Sequence, residues 1–266
     1  MKLDYCLHTH TKRCGHAFGE DEEYIESAEA NGFRVIGFSD HAILPGVVQP
    51  RMRGEFSLLD DYVNSIRNLA KKHSNLTIFV GFEAEYSPYF ESYYRELLSS
   101  GKIDYLIMGQ HCYFDEERKH HWYYDIPDKT EALHRYTDDV IRGMNTGLFT
   151  YIAHPDFMVR LFTEPNEELI NCSRRICLEA KRLGIPLEIN LCGLTYKGDS
   201  LKYPWDKFFE IASEVGNDIV VGVDAHKPEA FSTSNFAHVD YLASKYNLKF
   251  ISDPCKLIAP KGKVSL

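Results

Sequence analysis

The sequence of 266 residues lacks any uninterrupted run of 18 or more apolar residues, so it contains no candidate transmembrane helix. Its first residues, Met-Lys-Leu-Asp-Tyr, also lack the apolar core of a secretory signal peptide. The seven cysteines have no CxxC spacing and are odd in number, which is typical of reduced thiols. Together these absences favour a cytoplasmic protein that does not associate with membranes.

The sequence is also short of positive charge, with a formal net charge of -9 at pH 7 and no basic stripe or tail. Proteins that bind nucleic acid through its phosphates normally carry clustered lysine and arginine. We therefore expect no nucleic-acid partner, and we make no prediction of the oligomeric state.

What the sequence does contain is a regular alternation of strand-like and helix-like segments, without repeats or low-complexity linkers. Strands are predicted at 3–10, 34–39, 76–86, 104–110, 149–153, 186–190 and 219–223, and a short segment over 249–252 follows the last helix. Helices are predicted at 20–31, 57–73 with Ser57 as N-cap, 88–100, 129–146, 167–183, 205–215 and 235–246, and a long aromatic loop at 112–129. Such alternation implies parallel strands joined by right-handed crossovers. The pattern predicts one domain, 1–266, with an α/β fold: a distorted (β/α)7 TIM-like barrel, or alternatively an open doubly wound sheet.

Histidines and carboxylates concentrate where the predicted strands end. Three pairs lie two residues apart: His8/His10, Glu83/Glu85 and Asp224/His226. Both side chains of such a pair project from one face of an extended chain. Single histidines follow other strands or lie in the first loop: His16, His41, His111 and His154. Because barrel enzymes carry their chemistry at the carboxyl ends of the strands, we expect these side chains to meet.

Seven of the twelve histidines belong to this group, more than one metal ion needs as ligands. A mixed set of imidazoles and carboxylates suits Zn, Mn or Fe, and a shared carboxylate can hold two ions about 3.5–4 Å apart. Cys14 lies among these residues, but we expect it to support a ligand rather than to bind metal. The alternative interpretations are a structural role for a single histidine such as His111, and an ordinary solvated acid for Glu85.

The order of these residues resembles the PHP (polymerase and histidinol phosphatase) family of metal-dependent phosphoesterases. The residues that carry the resemblance are His8-x-His10, His16, Asp40-His41, Glu83, His111, His154 and Asp224-x-His226. The match spans nearly the whole chain, and its length and loops are most similar to the stand-alone L-histidinol phosphate phosphatases. The resemblance implies a distorted (β/α)7 barrel and up to three divalent transition-metal ions, with Zn favoured over Mn or Fe.

The resemblance also implies a division of the ligands among three ions. The first ion would be held by His8, His10, Glu83 and Asp224. Glu83 would bridge to a second ion, whose other ligands would be His111 and His154. The third ion would be held by His16, His41 and His226, while Asp40 would orient His41 or a neighbouring ligand. Glu83 and Asp224 would hold a metal-bridging hydroxide as the nucleophile, so no protein nucleophile is expected.

Two cations in predicted rim loops, Arg160 and Lys197, are candidates for binding a phosphoryl group. Arg160 is favoured because a guanidinium matches phosphate geometry, and its alternative interpretation is an ordinary surface salt bridge. The resemblance implies a small phosphate monoester as partner, L-histidinol phosphate, hydrolysed to L-histidinol and phosphate in histidine biosynthesis.

The organic part of that substrate carries an imidazole and an ammonium, which aromatic faces and acids can bind. The aromatic loop offers Tyr113, Phe114, Asp115, Glu116, Glu117, Trp122, Tyr123 and Tyr124. Glu85 and Asp156 are candidates for pairing with the ammonium. Two alternatives stay open: another PHP phosphoesterase acting on nucleotides or a nucleic-acid end, and a metal-binding accessory module without catalysis.

Overall fold

Parallel strands curl around a common axis in the computed structural model, which describes residues 3–258. The strands are β1 (Tyr5–Cys6), β2 (Val35–His41), β3 (Thr77–Ala84), β4 (Tyr105–Met108), β5 (Cys112–Phe114), β6 (His120–Trp122), β7 (Leu187–Asn190), β8 (Asp218–Gly222) and β9 (Lys249–Phe250). The helices are α1 (Asp21–Ala30), α2 (Leu59–Lys72), α3 (Glu91–Ser99), α4 (Lys129–Asn145), α5 (Glu167–Leu183), α6 (Asp206–Val215), α7 (Ala230–Thr233), α8 (Phe236–Tyr246) and α9 (Cys255–Ile258).

The parallel strands form a closed ring. β1, β2, β3 and β4 pair in that order, and β7 pairs with β8 and then β9. Ile152 joins the two groups through single parallel bridges to Met108 of β4 and Leu187 of β7. A further parallel bridge, Thr9 to Ala225, joins the chain after β1 to the chain after β8. The predicted distorted (β/α)7 TIM-like barrel is confirmed, and the alternative of an open sheet is wrong.

The distortion lies in two predicted strands that are shorter than expected. The prediction of a strand over 3–10 is wrong in length, because only Tyr5–Cys6 is a strand. Leu7, the next residue, packs inside the barrel. The predicted strand 149–153 is reduced to the bridge at Ile152. In both places regular pairing gives way to a backbone that aims polar side chains inward.

The other predicted elements are present, with shifted ends and two local differences. Ser57 does not cap α2, because it lies inside a short 3-10 helix, Phe56–Leu58, that precedes α2. The predicted loop 112–129 contains an antiparallel hairpin formed by β5 and β6. Strands of three residues are too short to show the alternation of apolar and polar residues from which a hairpin is predicted.

Local chemistry explains where several helices begin and end. Glu20 and Glu23 form a reciprocal capping box that starts α1. The side chain of Asp128 accepts hydrogen bonds from the first turn of α4, and Asn166 does the same for α5. Gly184 ends α5 in the left-handed conformation with φ 66°, which glycine adopts without steric cost.

A small apolar cluster fills the interior of the barrel: Leu7, Tyr105, Ile107, Tyr151, Ala153 and Val220. The Tyr105 hydroxyl donates a hydrogen bond of 2.8 Å to the Leu7 carbonyl oxygen, which ties β4 to the first strand across the interior. Ile251, Leu257 and Ile258 pack against this cluster. The barrel is therefore a filled core, and the polar residues occupy only its carboxyl-terminal end.

Two expectations from the sequence concern membrane-spanning helices and the state of the cysteines. No helix within residues 3–258 combines the length and apolar character needed to cross a membrane. All seven cysteines are free thiols.

The interior packing makes Gly81 on β3 sensitive to substitution. A Cβ atom at residue 81 would lie 2.5 Å from the Tyr105 ring. We expect Gly81→Ala to lower the free energy of unfolding by about 1–3 kcal/mol, the usual cost of overpacking. Chemical denaturation measures this change.

Gly143→Ala is the matched control, because the nearest atoms there belong to the flexible end of Met108. We expect a smaller loss for Gly143→Ala, since alanine also favours the helix by about 1 kcal/mol relative to glycine. Unchanged stability of Gly81→Ala would contradict the packing of Tyr105 inside the barrel.

Candidate metal centre

One buried carboxylate, that of Glu83 at the end of β3, lies at the middle of the polar cluster. It is 1% exposed. Five imidazoles approach its two oxygens: His154 Nε2 at 2.7 Å, His41 Nδ1 at 3.1 Å, His10 and His111 Nε2 at 3.4 Å, and His8 Nε2 at 3.5 Å. The histidines that the sequence places at the ends of different strands therefore lie together around Glu83.

Space for this carboxylate comes from Gly109, the first residue after β4. A Cβ atom at Gly109 would lie 1.9 Å from Glu83 Oε1, closer than any real contact. Only glycine therefore allows β4 to approach the Glu83 carboxylate so closely.

Asp224, in the segment after β8, is the second central carboxylate. Its Oδ1 lies 3.0 Å from His10 Nε2, 3.5 Å from His8 Nε2 and 3.4 Å from His226 Nδ1. Asp224 has φ 53° and His154 has φ 29°, a region that non-glycine residues seldom occupy. Such conformations cost about 1–3 kcal/mol each and cluster at functional sites, where the surrounding structure holds them.

A third group lies beside the carboxylates and consists of His16, His41 and His226. Their ligand atoms lie within 4.8 Å of one another. His16 Nε2 and His226 Nε2 are 2.8 Å apart. Two imidazole nitrogens at this distance need a shared proton or a cation between them. Cys14 Sγ comes within the same limit of His10 and His226, so the structure also brings Cys14 to the cluster.

The electrostatics of the cluster favour the charged form of both central carboxylates. Burial would raise the pKa of Glu83, but the surrounding histidines hold it well below its usual range. The pKa of Asp224 is held well below its usual range in the same way, chiefly by His8 and His10. Burial and the neighbouring His10 lower the pKa of His226 to about 3. Burial also lowers the pKa of His10, but the nearby carboxylates of Asp224 and Asp40 raise it overall, to about 9.

Several buried polar atoms of the cluster have no hydrogen-bond partner among the described residues. They are His8 Nε2, both ring nitrogens of His10, His41 Nδ1, His154 Nδ1 and Asp224 Oδ1. Buried polar atoms are nearly always paired, so convergent exceptions need a physical reason. A divalent cation supplies one, and the donor set of imidazoles and carboxylates suits a transition metal. The residues present therefore fit metal ions, while the division of the nine predicted ligands among three ions stays a prediction.

Glu188 and Asn190 on β7 contact residues of the cluster, and the sequence analysis did not identify them. Glu188 is fully buried, and its Oε1 lies 2.9 Å from His8 Nδ1. Its Oε2 accepts hydrogen bonds from the His154 backbone N–H at 3.0 Å and from Asn190 Nδ2 at 2.8 Å. The signal was available, because these two residues end a predicted strand and are two apart, like the three pairs that were identified.

Arg53, in the loop after β2, was also missed. It is 3% exposed and donates to Glu85 Oε2 at 2.9 Å. Glu85 Oε1 lies 3.2 Å from His111 Nδ1. Glu85 is therefore neither a solvated acid nor free to pair with a substrate ammonium, and both of those interpretations are wrong. No sequence pattern in the loop marks Arg53 as the partner of Glu85.

The Asp40 side chain contacts both His10 and His41, because its Oδ1 also accepts a hydrogen bond from the His41 backbone N–H at 3.1 Å. Its Oδ1 lies 3.5 Å from His10 Nδ1, and its Oδ2 accepts a hydrogen bond from the Thr11 hydroxyl. This places Asp40 against His41 and a neighbouring ligand, the two positions expected from the sequence.

Arg160 and Lys197 line the same small depression, of about 50 Å³, in the rim. The Arg160 guanidinium lies over the Tyr196 ring at 3.9 Å and near the Phe157 ring at 5.2 Å. Phe157 in turn packs against the rings of His111 and His154, at centroid distances of 5.5 and 5.4 Å. Arg160 makes no ion pair within residues 3–258, which argues against an ordinary surface salt bridge.

In the structure, several residues that were candidates for binding the organic part of a substrate are buried or already hydrogen-bonded. Phe114 and Tyr123 are buried in the main core. Asp115 accepts hydrogen bonds from backbone N–H groups of its own loop. Asp156 is buried and accepts from the Trp205 N–H at 2.5 Å, and burial raises its pKa to about 7. Tyr124 remains 55% exposed.

The rest of the hairpin region keeps its aromatic and acidic side chains closer to the surface. The Trp122 ring is stacked on Tyr124 at 5.4 Å, and Tyr113 lies under the Arg135 guanidinium at 3.5 Å. Glu116 and Glu117 are exposed. The aromatic faces of this region are thus partly occupied by one another and by Arg135.

Comparison with known proteins agrees with this geometry. The PHP domain family matches residues 7–191. A "Probable histidinol-phosphatase" of Deinococcus radiodurans is 27% identical over 231 residues, which cover 83% of this chain and 85% of the relative. The "Histidinol-phosphatase" of Bacillus subtilis is 24% identical over 249 residues, covering 83% of this chain and 92% of the relative.

A solved structure extends the comparison to the fold. The histidinol phosphate phosphatase of Lactococcus lactis, complexed with Zn, L-histidinol and phosphate, superposes with a TM-score of 0.69 at 19% identity. The alignment covers 94% of this chain and 95% of that chain. The relatives support the expected enzyme class, a phosphatase-type hydrolase. Because the family match covers more than half of the sequence, the chain belongs to the PHP domain family.

Proposed function

We propose that this chain is a single-domain, metal-dependent phosphatase that hydrolyses L-histidinol phosphate to L-histidinol and phosphate. The observation that carries the proposal is the buried Glu83 carboxylate, which five imidazoles approach within 3.5 Å. Two of them, His8 and His10, also turn unpartnered nitrogens toward Asp224 Oδ1. The substrate is supported by the relatives named histidinol-phosphatase and by the Lactococcus lactis enzyme complexed with L-histidinol and phosphate.

The proposed metal ligands are those that the sequence indicated: His8, His10, His16, His41, Glu83, His111, His154, Asp224 and His226. Zn is the favoured metal, with Mn and Fe as alternatives. Ions held there would lower the pKa of a bound water toward neutrality and neutralise phosphoryl oxygens. Glu83 and Asp224 supply the negative charge that keeps such ions together, because their low pKa values keep both ionised at neutral pH.

The phosphoryl group is proposed to lie between this cluster and the Arg160 guanidinium. Phe157 contacts the rings of His111 and His154 on one side and Arg160 on the other, so it links the two parts of the site. Its ring also removes water from this wall, which strengthens charge–charge interactions. Tyr196 lies under the guanidinium and limits the orientations that Arg160 can adopt.

We expect protein purified without chelator to contain at least two, and up to three, transition-metal ions per chain, because the ligand set exceeds the four or five ligands of one ion. Elemental analysis measures this content. Glu83→Ala should lose more metal and activity than His16→Ala, since Glu83 is proposed to bridge two ions. A content clearly below two in active, metal-replete protein would reject the cluster.

We expect Arg160→Ala to raise KM for a phosphate monoester and to lower kcat/KM by about ten- to hundredfold, since a charged hydrogen bond contributes about 1.5–3 kcal/mol. Lys197→Ala should act in the same direction but less, because an ammonium is a less directional partner. Steady-state kinetics measure both variants.

Arg174→Ala is the matched control for these two variants, because Arg174 pairs with Glu214 on the helical surface. It should leave the kinetics unchanged. Wild-type kinetics for Arg160→Ala would remove this residue from the phosphate site.

The substrate assignment is tested by comparing kcat/KM for L-histidinol phosphate, a nucleoside monophosphate and a simple aryl phosphate. We expect L-histidinol phosphate to be hydrolysed most efficiently. Equal or better hydrolysis of the other two would reject the substrate and keep the phosphatase activity. No hydrolysis of any of them by metal-replete protein would favour an accessory module.

A further inference from the structure

Glu188 and Asn190 contact two of the proposed metal ligands without being ligands themselves. We propose that this pair is a positioning element, which fixes the proton of His8 on Nδ1 and aims His8 Nε2 and Asp224 Oδ1 at the metal centre. The inference rests on the proposed metal centre, and it concerns residues that the sequence pattern did not single out.

The hydrogen-bond directions around Glu188 follow from its surroundings. The Asn190 side chain has its orientation set by the Cys192 N–H, which donates to Asn190 Oδ1 at 3.0 Å. The amide nitrogen of Asn190 therefore faces Glu188, and the backbone N–H of His154 faces it too. Both contacts are donors, so Glu188 Oε2 is fully used as an acceptor.

The remaining oxygen of Glu188 decides the tautomer of His8. Glu188 Oε1 lies 2.9 Å from His8 Nδ1, and an ionised carboxylate can only accept. A neutral, metal-binding His8 must therefore carry its proton on Nδ1, which leaves the lone pair on Nε2. That nitrogen lies 3.5 Å from both Glu83 Oε1 and Asp224 Oδ1 and has no hydrogen-bond partner among the described residues.

Asn190 extends the same arrangement to Asp224. Its Nδ2 also donates to Asp224 Oδ2 at 3.2 Å. With one oxygen held in this way, Asp224 directs Oδ1 toward His8 and His10. One amide thus orients a carboxylate on each side of it, and both carboxylates act on the cluster.

Glu188 also differs from Glu85, the other buried carboxylate that contacts a histidine of the cluster. The charge of Glu85 is balanced by Arg53. Within residues 3–258, the ion pair of Glu188 is with His8. Its charge therefore adds to the negative potential of the metal centre, whereas the charge of Glu85 is largely cancelled by its arginine.

The barrel leaves room for this carboxylate at one glycine. A Cβ atom at Gly222 of β8 would lie 1.8 Å from Glu188 Oε1. Gly222→Ala should therefore displace Glu188 without changing any residue that contacts the cluster. This variant provides a second, independent route to the same test.

The experiment measures zinc affinity by competition with a chromogenic chelator, on folded chains checked by circular dichroism. We expect Glu188→Gln to weaken zinc binding by about ten- to hundredfold, the usual effect of losing an outer partner of a metal-bound histidine. A glutamine offers one acceptor oxygen, and its amide would face a donor. Asn190→Ala and Gly222→Ala should weaken zinc binding in the same direction.

Asn217→Ala is the matched control, because Asn217 is a buried amide at the opposite end of β8 that donates to the Cys177 carbonyl at 2.9 Å. It should lower thermal stability without changing zinc affinity, which separates positioning from loss of stability. If Glu188→Gln does not fold, Asn190→Ala and Gly222→Ala decide the question.

Zinc affinities within twofold of wild type in all variants that fold would overturn the inference. The outcome is distinguishable from failure of the proposed function, because zinc binding is measured without substrate. A chain that binds zinc in a Glu188-dependent manner but hydrolyses no phosphate monoester would reject the phosphatase and keep the positioning role.

Discussion

The buried negative charge of Glu83 is the constraint on which the rest of the site depends. A carboxylate removed from water is stable only when opposite charges or hydrogen-bond donors surround it. The fold supplies five imidazoles within 3.5 Å, from the end of β2 and from the segments that follow β1, β4 and Ile152. These histidines hold the pKa of Glu83 well below its usual range, so the carboxylate stays charged in its buried position.

Holding this arrangement has local costs that the barrel must offset. His154 and Asp224 occupy backbone conformations that are unfavourable for residues with a side chain, and Gly109 and Gly222 give up all side-chain packing. The interior cluster around Tyr105 and the helices outside the sheet provide ordinary apolar burial in compensation. The polar end and the apolar end of the same barrel therefore have opposite effects on stability.

The sequence predicted the parts that depend on local periodicity. His41 and Glu83 lie at the carboxyl ends of β2 and β3, close to where the sequence placed them. They meet because the carboxyl ends of parallel strands in a barrel share one rim. The prediction of the (β/α)7 barrel followed from the same alternation. The same rule applies to Glu188 and Asn190, which end the predicted strand 186–190 and lie two residues apart.

Other parts could not be predicted because they depend on contacts between distant segments. Nothing local to Arg53 indicates that its guanidinium is buried against Glu85, 32 positions later in the chain. Phe114 is buried against Phe90, and Tyr123 against Tyr136 of α4, contacts that a pattern of aromatic residues does not specify. Composition indicated aromatic faces in that loop, but packing decides which of them remain accessible.

The surroundings of Arg160 connect the fold to the proposed chemistry. Its guanidinium is held by stacking on Tyr196 and Phe157, with no ion pair in the described part of the chain, so its hydrogen-bonding groups are not committed to a carboxylate. Phe157, the first residue of the 3-10 helix Phe157–Leu161, donates its backbone N–H to the His154 carbonyl oxygen at 2.9 Å and packs its ring against that histidine. A single short segment therefore carries a proposed metal ligand, an apolar wall and the proposed phosphate-binding cation. Their relative positions are set by local backbone geometry, so the unusual conformation of His154 orients the wall and the cation as well as the ligand.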